Sequence, residues 1–100
     1  MTGMLPIVEL LADAGTHQER ADWLFACPYA VMYREHMTIR RILQGAGLLA
    51  GVGYLDAVVS LASAKRLADG GLPQTIVLQV HIAAQDLRAA ARAGAEGAEC

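Results

Sequence analysis

The sequence predicts an all-α protein, a compact bundle of four to five helices around a central apolar helix at about residues 46–69. Three observations predict it. The stretch Ala46 to Ala64 holds one charge, Asp56, and a helix apolar on nearly all sides is a buried one. The flanking segments repeat apolar residues at helical spacing between helix start and stop signals. Hydrophobic residues make up 55% of the chain and aromatic residues only 5%, so the apolar area comes from Ala, Leu, Val and Ile, a mix that suits helices and a shared interface.

On a helical wheel the central segment has two opposite characters. Leu48, Val52, Leu55, Val59 and Ala62 form a bulky face, and Ala46, Ala50, Gly53, Ala57, Ser60 and Ala64 a smooth one. Glycine inside a helix costs roughly 1 kcal/mol relative to alanine, so Gly51 and Gly53 call for a compensating close approach of another backbone. Ala50, Gly53 and Ala57 are therefore the expected face on which a second helix docks.

The elements follow in order. Pro6 opens a first helix, with Leu5, Val8, Leu11 and Ala12 at helical spacing and Gly15 as its stop. Thr16 and Glu19 form a capping box that starts a second helix. That helix runs to Cys27, where Pro28 imposes a break. A third helix is expected from Pro28 to Gly45, with Tyr29, Met32, His36, Ile39 and Leu43 on one face. After the central helix, Gly70 and Gly71 mark a turn and Pro73 opens the last helix, striped by Ile76, Val80, Ala83, Leu87 and Ala90. Ile76, Leu78, Val80 and Ile82 also alternate as a strand would; helix is preferred because no other segment offers a partner strand and the Ala-rich continuation favours helix. One domain over 1–93 and a flexible tail over 94–100 are expected.

A net charge of −2 and a pI near 5.8 give no global attraction to nucleic acid or anionic lipid. As a membrane span the central stretch reaches only the minimum length and carries Asp56 near its middle, so a membrane location is not favoured. Cys27 and Cys100 do not make a disulfide framework. Glu9 interrupts the early apolar run, so no targeting peptide is expected and a cytoplasmic location is the default.

Chemistry-bearing patterns are sparse. His17, His36 and His81 stand at no metal-ligand spacing from one another or from a cysteine, so no metal, no cofactor and no catalytic residue is expected. His36 and His81 read as internally bonded core histidines, and His17 as an exposed capping residue. A Cys27–His36 thiol pair has no flanking signature. Gly45 to Ala50 fits a loose dinucleotide-loop spacing, but helix rather than strand precedes it.

One cluster has a possible binding role. The predicted third helix carries Arg34, Arg40 and Arg41, three of the chain's eight Lys and Arg, together with Tyr29 and Tyr33. With the second helix and the break at Pro28 it resembles a helix-turn-helix in outline, lacking the turn glycine. The expectation that follows is a non-enzymatic helical protein that binds another macromolecule and self-associates as a homodimer or small oligomer, acting as a regulator or inhibitor of a protein or nucleoprotein complex. A helix-turn-helix DNA-binding regulator and a small membrane-associated helical protein are the alternatives.

Overall fold

A computed structural model of the chain describes residues 5–64 and 68–98. Among them lie six α-helices and no strand: α1 (Pro6–Asp13), α2 (His17–Ala26), α3 (Tyr29–Arg34), α4 (His36–Ala46), α5 (Leu49–Ala62) and α6 (Gln74–Ala98). The protein is an all-α bundle with α5 at its centre, packed against α2, α3, α4 and α6. Fully buried Leu11, Leu24, Met32, Ile39, Leu43, Leu55 and Leu87 bring α1 through α6 into one core. The molecule extends 51 × 38 × 18 Å, a slab two helices thick in which every helix keeps one side near solvent.

The start and stop signals act as their chemistry requires. In the capping box Glu19 N–H donates to Thr16 Oγ1 at 3.1 Å, and Glu19 Oε1 accepts from Thr16 N–H at 3.1 Å and from Gly15 N–H at 2.8 Å. Cys27, held extended at φ −75°, ψ 132° ahead of Pro28, ends α2. Gly47, at φ +80°, closes α4 in a Schellman motif: its N–H donates to the Gln44 carbonyl at 3.1 Å, and Leu48 N–H to the Leu43 carbonyl at 3.0 Å. Leu48 thereby turns inward and is buried.

The structure corrects several boundaries. The helix expected over residues 28–45 is two helices, parted at Glu35 (φ −105°, ψ 18°). An unbroken helix would give the Tyr33 carbonyl to the Met37 amide. Instead His36 Nδ1–H takes that carbonyl at 2.7 Å, so a side chain competes with the helix ladder. The Schellman turn moves Ala46 from the central helix into α4, and Ser63 caps the end of α5, its hydroxyl donating to the Val59 carbonyl at 2.8 Å. The central helix is thus Leu49–Ala62, shorter than 46–69; residues 65–67 of that range lie outside the described residues. At the other end α6 continues through the proposed 93/94 boundary to Ala98, and residues 99 and 100 lie outside the described residues.

Residues 75–82 are helical. Gly70 at φ +88° and an Asp69 carboxylate accepting Gly71 N–H at 2.9 Å turn the chain into α6, where Pro73 supplies its carbonyl to Ile76 and Val77. At about 100° per residue, Val80, Leu87 and Ala91 point to the core while Leu78 and Ile82 fall on the opposite side. The strand-like alternation is therefore the mark of a helix with two apolar strips, one buried and one facing out.

Candidate interaction surface

The outward strip of α6 is the largest apolar feature left open near the centre of the chain's longest helix. Leu78 is 56% exposed and Ile82 51%. Beside them lies a groove of about 340 Å³ between α5 and α6. Gly53, Ala57 and Ala83 line it, and none has a side chain long enough to fill the space between the two helices; Asp56 and Asp86 also line it, and Ile82 borders it.

The smooth face of α5 is where this groove forms. Ala50 and Ala57 are half-buried, and Gly53 is exposed. A Cβ placed on Gly53 meets nothing within 4 Å, so the close approach expected there is absent. Gly51, two residues away, is the tightly packed glycine: a Cβ there would lie 3.1 Å from Leu48 Cδ2 and 3.3 Å from Leu24 Cδ1. Side chains of α2 and of the α4–α5 turn, rather than a second backbone, exclude a larger residue at that position.

The cationic cluster is divided by the break at Glu35. Arg34 ends α3 and lies 3.8 Å from the adjacent Glu35 carboxylate. Arg40 reaches from α4 to α5 and pairs with Asp56, so its charge is spent inside the bundle. Arg41 is exposed on α4. Tyr29 and Tyr33 are 43% and 46% exposed, and the Tyr33 ring sits 6.3 Å from that of His36. No single helix presents all five residues.

The remaining titratable groups near the core are tied into packing. Phe25 meets Tyr54 edge to face, with ring centroids 5.3 Å apart at 72°, and the Arg88 guanidinium stands 4.7 Å over the Phe25 ring. Burial first, and then the charge and hydrogen bond of Tyr29, push the Tyr54 hydroxyl up to about 12. Burial also raises Cys27, whose thiol donates to the Pro28 carbonyl at 3.5 Å; the thiolate is the nucleophilic form, so this setting quiets the sulfur. His36 is half-buried and engaged with a backbone carbonyl, and His81, expected in the core, is exposed on α6. Five positions further on, Asp86 falls on the groove side of the same helix. His17 is half-buried rather than exposed, its Nδ1 accepting from Arg20 Nη1 at 2.8 Å while Arg20 Nη2 donates to the Ala14 carbonyl at 3.0 Å. Among the described residues no group of three or more His, Cys, Asp or Glu could hold a metal ion, and no helix is long and apolar enough to cross a membrane.

Sequence reasoning missed Leu78, Ile82, Ala83 and Asp86. The signal that could have found them is the Ile76-Leu78-Val80-Ile82 alternation, once it is placed on a helix. Comparison of the chain with protein-family models, with curated proteins and with solved structures returns no match.

Proposed function

We propose that this protein is a non-enzymatic helical binding protein, a regulator or inhibitor that works by docking the α5–α6 face onto another macromolecule. The observation that carries this reading is the second apolar strip of α6, Leu78 and Ile82, opposite the strip that serves the core. Burying an exposed Leu or Ile side chain is worth about 1.5–3 kcal/mol, and an open strip beside a groove of small residues offers that gain to a partner. Self-association belongs to this reading. The helix-turn-helix alternative draws less support, because Arg40 is paired with Asp56 and the other cationic residues sit on two helices.

A photo-reactive phenylalanine analogue placed at position 78 or 82 in the intact chain tests the reading, with Gln18 on the exposed side of α2 as the reference position. Adducts larger than the single chain are expected from 78 and 82 and not from 18. If neither 78 nor 82 gives any adduct in the native cytoplasm or at micromolar concentration of the pure chain, the α6 strip is not a binding surface and the reading falls.

A further inference from the structure

We infer that the occupant of the α5–α6 groove is a second copy of this chain, with the Leu78–Ile82 ridge of each copy seated in the groove of the other. This rests on the reading of that face as a binding surface and names the partner. The argument is one of self-complementarity. A ridge of two half-exposed aliphatic side chains and a groove floored by Gly53, Ala57 and Ala83 lie side by side on one surface, and Ile82 borders both. A twofold axis that brings one ridge to the neighbouring groove brings the second ridge to the first groove as well, so both copies bury the same patch and the contact closes. Ridge into groove is also how two helices pack within a single chain.

Charge agrees with that pairing. The groove contributes Asp56, already matched by Arg40, and Asp86. The side chains that flank the ridge on its outward side are Gln74, Thr75 and Gln85, which bring no acid to the acids of the groove. The slab is only two helices thick, so the chain has no further layer of its own to cover α6.

The open space at Gly53 provides a specific test. Because a Cβ there meets nothing within 4 Å, Gly53→Leu leaves the folded chain undisturbed and fills the groove in which the partner's ridge would sit. Leu78→Gln/Ile82→Gln removes the ridge at two exposed positions. Light scattering of the full chain should give a dimer of the 10.6 kDa chain at micromolar concentration. Both variants should weaken self-association by about tenfold or more while keeping a native helical circular dichroism spectrum. Should Gly53→Leu fail to fold, the ridge variant alone decides. A wild-type chain that stays monomeric at a hundredfold higher concentration overturns the proposal, as does a dimer indifferent to the folded variants. Adducts with other proteins from position 78 or 82, together with a monomeric mass, sink the second-copy proposal and leave the binding reading standing. A monomeric mass with no adducts ends both.

Discussion

The indole Nε1 of Trp23 donates to the Ile7 carbonyl at 2.7 Å, and through this bond α2 holds α1 to the body of the molecule. The first helix has only eight residues and buries only Val8 and Leu11, too little to persist alone. Trp23→Phe keeps most of the ring's apolar area and deletes the donor, so it should cost about 1 kcal/mol. Amide hydrogen exchange is the discriminating measurement: α1 amides should exchange faster in the variant while α5 amides change only by the global loss. Equal acceleration in both helices would mean that the bond does not serve α1 in particular.

Tyr54 makes stability fall at alkaline pH. Its folded value, pushed up to about 12, lies above the ordinary tyrosine value of 10.0, so the folded state holds the proton more tightly than the unfolded state does. The stabilisation is complete below pH 10 and is lost as pH rises toward 12, to at most about 2–3 kcal/mol. Raised Cys27 acts in the same direction from about pH 9. Tyr54→Phe keeps the edge-to-face contact with Phe25 and should flatten most of the loss in a series of urea midpoints across this range. A variant with the wild-type slope would place the titration elsewhere.

Much of this architecture is legible in the residues, and the parts that are not have a common physical origin. The capping box at Thr16 and Glu19, the break at Pro28 and the turn at Gly70 are local, and local chemistry is written in neighbouring residues. The division at Glu35 depends on which way one imidazole points: His36 takes the Tyr33 carbonyl, and nothing in the spacing of apolar residues announces that. Gly51 and Gly53 are identical in kind and two residues apart, and only the position of Leu24, on another helix, makes one tight and the other open. The outward ridge was hidden for a different reason. Two apolar strips on opposite sides of a helix produce the same alternation as a strand, so the pattern that suggested a rival secondary structure was reporting an exposed surface.

Arg40 and Asp56 join α4 to α5 across a partly solvated site, with side chains 30% and 51% exposed. A pair this open contributes about 0–1 kcal/mol. Arg40→Gln and Asp56→Asn should each cost less than about 1 kcal/mol, and the coupling in a double-mutant cycle should shrink as salt is raised toward 1 M. A coupling above about 2 kcal/mol that salt leaves unchanged would show the pair to be shielded from water and central to the α4–α5 contact.

The two glycines of α5 should respond to alanine in opposite directions. At Gly53 the added methyl meets nothing within 4 Å, so the substitution acts on the helix backbone alone and should raise stability by about 0.5–1 kcal/mol. At Gly51 the same gain is opposed by contacts of 3.1 Å to Leu48 and 3.3 Å to Leu24, both buried side chains whose room to move is limited by the core around them. Overpacking of this kind costs about 1–3 kcal/mol, more than the propensity gain, so Gly51→Ala should be neutral to about 2 kcal/mol destabilising. Thermal melts of the two single variants decide the matter. Their order carries the result: a Gly51→Ala protein that melts above Gly53→Ala would mean that α2 does not press on α5 at Leu24, and the packing of the central helix described above would be wrong.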